Sequence, residues 1–284
     1  MSASARCSDL SELAGEPLGA TATHAEHWLL LEMPGTWPRD VGDGPGLPDA
    51  ARDAVRAWLE RTPSSRLLYL RRPGRDPVRK QLAFVVRASE ASTEVRRIEV
   101  SSQEEVTALD ISRAGEIIDA QLVLVCAHGT RDACCALRGN AVYGALAPRM
   151  KPDELWISSH HGGHRFAANV LVLPAGIHLG RVAPDGAPDV VARALAGRID
   201  LEHYRGRTAY PRAVQAGERA VREAELLDAV DDLHLVDAAG HRARFRSRDE
   251  REHSTVATEV AGPTVPASCG AQAEPQVVVT ARIV

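Results

Sequence analysis

Leu122-Val123-Leu124-Val125-Cys126-Ala127-His128-Gly129-Thr130-Arg131-Asp132-Ala133-Cys134-Cys135 is the stretch from which the fold follows. Its first five residues are an unbroken apolar run of strand length, which reads as a buried strand. A largely helical stretch at 133–150 comes next, then a strand at 154–159. Two more strands, 169–173 and 178–182, flank the Pro174-Ala175-Gly176 turn, and an amphipathic helix covers 189–198. Strand–helix–strand implies a parallel pair with a right-handed crossover, and strand–strand–helix implies an antiparallel hairpin closed by a helix. Together they predict a thioredoxin-like unit.

Upstream the same order is already present. Residues 1–26 carry no long periodic segment. A strand from Trp28 to Met33 leads through a Pro/Gly/Asp loop, 34–48, to a helix capped by Asp49, with Val55, Trp58 and Leu59 on one side. Strands follow at 66–71, 82–87 and 94–100, then a short helix from Ser102 with Glu104 and Glu105 in its first turn. Elements start near 28, 49, 66, 82, 94 and 102, and again near 122, 133, 154, 169, 178 and 187, an offset of roughly 84 to 94 residues. The repeat is one of pattern, not of residue identity. Downstream, a long helix at 209–227 tolerates Pro211 in its first turn, and strands are expected at 233–236, 242–246, 254–260 and 276–283. The expectation is an α/β chain, α+β in part. It has tandem thioredoxin-like units at 1–112 (without ligands) and 113–205 (with them), then a C-terminal helix and small β region at 206–284 that shows no chemistry.

Composition narrows the function. The 284 residues carry 34 basic and 38 acidic side chains, a net charge of −4, so the basic excess that dominates nucleic-acid binding is absent. The apolar runs fall far short of the ~20 residues needed to cross a bilayer, and the polar N-terminus is not a secretory signal. Five cysteines in such a chain argue against a disulfide scaffold and leave metal or redox use of the thiols open. The expected compartment is cytoplasmic.

One dense constellation stands out. Three of the five cysteines and four of the eleven histidines lie in the stretch around Cys126 and in Ser158-Ser159-His160-His161-Gly162-Gly163-His164-Arg165-Phe166. Both stretches follow strands of a parallel pair, whose carboxyl ends lie on one side, so the two loops can converge. Cys126-x8-Cys135 and His160-x3-His164 offer two sulfurs and two nitrogens, a ligand set that suits tetrahedral zinc or an iron–sulfur cluster of mixed ligation. Gly162-Gly163 lets the backbone between the histidines turn sharply. Taken singly, a cysteine at a strand end is more often a packed thiol, and a surface histidine is more often only solvated. Their co-occurrence at matching strand ends favours a metal or cluster site. Competing chemistries fit the spacing poorly. Cys126 and Arg131 are Cys-x4-Arg where a phosphatase loop needs Cys-x5-Arg, Cys-x-x-Cys is missing, and there is no phosphate-binding glycine loop. A Cys126/His128 nucleophile pair lacks an orienting third group.

These two stretches, with the opening Cys7-Ser8-Asp9 and the Trp28-Leu29-Leu30-Leu31-Glu32 strand, resemble the sucrase/ferredoxin-like family, which includes thioredoxin-like ferredoxins. The resemblance runs from about residue 7 to 205. It implies a [2Fe–2S] cluster held by Cys126, Cys135, His160 and His164, with Cys135 preferred over Cys134 by the family's spacing. His128, Arg131, Asp132, Cys134 and Arg165 then stand beside the ligands, as candidates to tune the centre or hold its loops. The implied role is one-electron transfer or redox sensing with an unknown redox partner protein, an electron carrier rather than a stand-alone enzyme, with no catalytic residues assigned. Glycoside hydrolysis receives no support, since no paired carboxylates stand out. A structural Cys2His2 zinc module, or a thiol oxidoreductase pairing Cys126 with Cys134 or Cys135, are the alternatives. Cys7 is too isolated to assign.

Overall fold

The computed structural model describes residues 6–73 and 80–284; the rest of the expected first unit, 1–5 and 74–79, lies outside the described residues. The chain opens with α1 (Cys7–Leu13), where no regular element was expected. Then come β1 (His27–Glu32), α2 (Asp49–Arg61), β2 (Ser65–Arg71), β3 (Gln81–Ala88), β4 (Thr93–Val100), a 3-10 turn (Gln103–Ala108) and β5 (Glu116–Ile118). The second half runs β6 (Leu122–Cys126), α3 (Ala133–Leu146), β7 (Leu155–Ser158), β8 (Val170–Leu173), β9 (Ile177–Leu179), α4 (Ala187–Leu195) and β10 (Tyr204–Arg207). The carboxyl-terminal part is α5 (Arg212–Glu225) and β11 (Leu233–Ala239), β12 (Arg242–Ser247), β13 (Glu252–Pro266) and β14 (Ala273–Ile283).

Among the described residues, ten strands form one sheet in the order β10-β9-β8-β6-β7-β2-β1-β3-β4-β5. Outward from the β7–β2 seam, each half has the same order: a parallel pair, then antiparallel strands. The seam is antiparallel, pairing Leu70 with Ser158 and Arg71 with Ile157, so an approximate two-fold axis relates the halves. The carboxyl end of β7 thus lies beside the carboxyl-terminal part of β2, and the chain beyond it runs back along β2, the Ser159 N–H donating to the Tyr69 carbonyl at 2.7 Å.

Alternate residues of the strands face two layers. Leu29 and Leu31 pack under α2, and Val123 and Val125 pack under α3 and α4. On the other face, Trp28, Leu30, Phe84, Leu122, Leu124 and Trp156 form one core drawn from both halves. Phe84 and Trp156 touch edge to face at 5.8 Å between ring centres. Their strands stand three positions apart, so this contact spans β2 and β1 and ties the two halves together on that face. Strands buried on both faces explain the unbroken apolar runs of β1 and β6.

A second sheet, β11-β12-β13-β14, is fully antiparallel and packs on α5. Gly217 of α5 allows close approach to Thr255 and Phe245. Among the described residues, no helix is long and apolar enough to cross a membrane.

Candidate metal centre

Cys126 ends β6 with its thiol buried, and its N–H donates to the carbonyl of Asn169 (3.0 Å). The chain then turns into α3, capped by Asp132, whose carboxylate accepts from the Cys134 N–H at 2.8 Å. Successive helical residues point ~100° apart, so the vicinal cysteines part company: Cys135 faces Cys126, and Cys134 faces Cys7 and Cys269. α3 can lie this close to β6 because residue 139 is glycine. A Cβ there would collide with the Cys126 carbonyl.

The loop after β7 carries both histidines. Gly162 and Gly163 have φ of 101° and 71°, and His164 begins a 3-10 turn. Side chains from distant segments hold the loop. Arg205 Nη1 donates to the Gly162 carbonyl (2.9 Å) and to Asn169 Oδ1 (2.8 Å), while Asn169 Nδ2 donates to the Gly163 carbonyl (2.9 Å). Thr23 Oγ1 donates to the His161 carbonyl (2.6 Å). His128 works from the opposite side. Its Nδ1 accepts the His160 N–H (3.2 Å), which leaves Nε2 to donate to the Pro38 carbonyl (2.8 Å).

The result is convergence. Cys126 Sγ and Cys135 Sγ lie 3.7 and 3.8 Å from His160 Nδ1, and the three ligand atoms are all within 4.8 Å of one another. The His164 ring stacks at 4.8 Å from that of His160, and its Nδ1 is buried without a hydrogen-bond partner. His164 itself stands outside the group of three ligand atoms that are mutually within 4.8 Å; what it adds next to His160 is a buried imidazole nitrogen left bare, which suits a metal group. The electrostatics agree. Hydrogen bonding from the Cys135 thiol, with help from His160, pulls Cys126 well below its ordinary value, while that same contact and burial push Cys135 up. Burial lowers His164 to about 4, which keeps it neutral and able to ligate.

The flanking residues singled out by sequence have separate tasks. His128 orients the His160 backbone as described and meets Trp37 edge-on. Arg131 lies 3.8 Å from Asp40 on the wall of a cleft of about 310 Å³ that also takes in Arg39, Arg66 and half-buried His160. Arg165 pairs with buried Glu16 at 2.8 Å and covers the Phe166 ring. Asp132 and Cys134 belong to a second cluster. Cys134 Sγ stands 3.5 Å from Cys7 and 3.2 Å from Cys269, and Asp132 Oδ2 accepts the Cys269 N–H at 2.8 Å. Against burial, which would raise it, the N–H donors of Cys269 and Cys134 hold the Asp132 carboxyl below its ordinary value.

Two expectations change here. Cys7 is not isolated, and the carboxyl-terminal region does bring chemistry, through Cys269 in the turn between β13 and β14. Their pairing joins residues 262 apart, which no local spacing could reveal. Nothing in the local sequence marks Arg205, Asn169 or Gly139 for the parts they play here.

A family model described as sucrase/ferredoxin-like matches residues 18–206. Among curated proteins, the chain is 31% identical over 106 residues to altered inheritance of mitochondria protein 32 of Eremothecium gossypii, a match covering 32% of this chain and 34% of that one. It is 28% identical over 121 residues to the protein of the same name from Meyerozyma guilliermondii, covering 38% and 42%. The Debaryomyces hansenii protein of that name is 31% identical over 99 residues, covering 31% and 36%. The matches thus take in between 34% and 42% of these relatives' length. No solved structure matches the chain significantly. The family description and the two sulfur-rich clusters agree with a redox or metal-binding protein.

Proposed function

Because this chain belongs to the sucrase/ferredoxin-like family, we propose that it holds a [2Fe–2S] cluster through Cys126, Cys135, His160 and His164 and serves in one-electron transfer or redox sensing. The observation that carries this reading is the meeting of two buried thiols with the Nδ1 of His160, beside the partnerless Nδ1 of His164. Such a cluster, when bound, supplies reversible one-electron chemistry. The chain's residues set the terms. Two neutral imidazoles in place of two thiolates leave less negative charge at the centre, which favours the reduced state. An imidazole that ligates through Nδ1 keeps Nε2 for a proton, which ties electron uptake to pH. His160 lines the cleft with Arg39, Arg66 and Arg131 against Asp40; this basic mouth suits a partner protein with an acidic face.

A single zinc ion is the second reading, favoured by how compactly Cys126, Cys135 and His160 are gathered. Freshly purified protein decides between them. The cluster reading expects visible absorbance that bleaches with dithionite, and iron and sulfide in equal amounts. Colourless protein with zinc at this site overturns it. His164→Cys is expected to keep the colour, lower the reduction potential and flatten its pH dependence. An unchanged potential removes His164 from the ligands.

A further inference from the structure

We propose that Cys7, Cys134 and Cys269, with Asp132, form a second metal site that takes one zinc ion and joins both ends of the chain to α3. The three sulfurs make a nearly regular triangle: 3.5 Å from Cys7 to Cys134, 3.2 Å from Cys134 to Cys269 and 3.6 Å from Cys269 to Cys7. A tetrahedral zinc with sulfurs at ~2.3 Å sets them about 3.8 Å apart, so the triangle is close to one face of that tetrahedron. Asp132 supplies the fourth corner. Its oxygens lie 3.8 and 3.9 Å from Cys7 Sγ, and each oxygen, having accepted one backbone N–H, keeps a lone pair.

A two-iron cluster divides its four ligands into pairs on opposite irons, so three sulfurs in mutual contact fit a single ion better. A disulfide would use two of the thiols and strand the third, and all three are free. Zinc suits a set of thiolates plus carboxylate with no open position, the arrangement of a structural site. The segments it would join are otherwise far apart in sequence, so its binding free energy would add directly to folding. The inference does not depend on what the neighbouring centre holds.

The test is metal analysis of the full-length protein, purified under reducing conditions, beside Cys7→Ala and Cys269→Ala. Each variant is expected to lose one zinc per chain relative to wild type while keeping its iron and visible spectrum. Zinc retained by both variants overturns the proposal. So does wild type that takes up no zinc when titrated against a chromophoric chelator, or iron that falls together with the zinc. Should a variant fail to fold, the wild-type titration still decides, with alkylation of the three thiols blocked by added zinc as the expected result. Protein without iron that loses one zinc in Cys269→Ala would sink the cluster reading and leave this one standing.

Discussion

Gly139 shows how much can rest on a missing side chain. Its hydrogen faces the Cys126 carbonyl, so Gly139→Ala must push α3 away from β6 and carry Cys135 away from Cys126. With the proposed cluster at this site, its expected effect is loss of most bound iron, measured per folded chain. Gly144 lies on the same helix with open space around it; Gly144→Ala should keep the iron and gain about 0.5–1 kcal/mol from helix propensity. His178 makes a different argument. It is fully buried, in contact with Arg205 and His161, and burial with those neighbours drives it well below the ordinary histidine value. Below about pH 6.5 the unfolded chain binds a proton there that the folded chain refuses, so stability falls as pH falls, by up to ~1.4 kcal/mol per unit. Urea unfolding at several pH values should show a shallower acid decline for His178→Gln than for wild type. Glycines at 162 and 163 were readable as a turn from sequence. Gly139, with an ordinary helical backbone, was not, because the reason for it lies across the fold.

At the scale of elements, the apolar strands were legible, as were the more polar β4 and β11 to β14, while β5 and β10 were not. The starts expected for β1 to β4 and β6 to β9 fall within a residue or so of those observed, because strands buried on two faces declare themselves as apolar runs. β10, Tyr204-Arg205-Gly206-Arg207, is buried throughout yet reads as loop. Its arginines are inside because Arg205 finds Asn169 and the Gly162 carbonyl, and Arg207 finds Glu90 at 2.7 Å. Partners of that kind cannot be seen along the chain. α1 escaped for a similar reason. Its seven residues are too short to hold a helix alone, and it is fixed by burial of Cys7, Ser8 and Ser11 and by ion pairs from Arg138 to Asp9 and Glu12.

For the whole molecule, the two-fold axis sets Glu32 where the second half has Cys126. Glu32 pairs in parallel register with Leu70, as Cys126 does with Ser158, and Leu70 and Ser158 face each other across the seam. One half ends its central strand in a thiol. The other ends in a carboxylate closed off by Arg72 at 2.8 Å and by the Leu82 N–H at 2.9 Å. Glu32→Ala should therefore cost about 1–3 kcal/mol of stability, since it strands a buried N–H, and leave iron content unchanged. Equal loss of iron would mean that the two strand ends are not independent. The repeated order was legible because both halves use the same succession of apolar runs. The joining of the halves edge to edge was not, because nothing in Leu70 or Ser158 announces its partner.

That seam has a bearing on synthesis. As the chain leaves the ribosome, β2 emerges long before β7, and its outer backbone groups have no neighbour until residues 155–158 are made. For some eighty residues of elongation, the amino-terminal half presents an unpaired apolar margin of the sort through which nascent proteins aggregate. Cells making this protein would do best to shield it with a chaperone until the second half arrives.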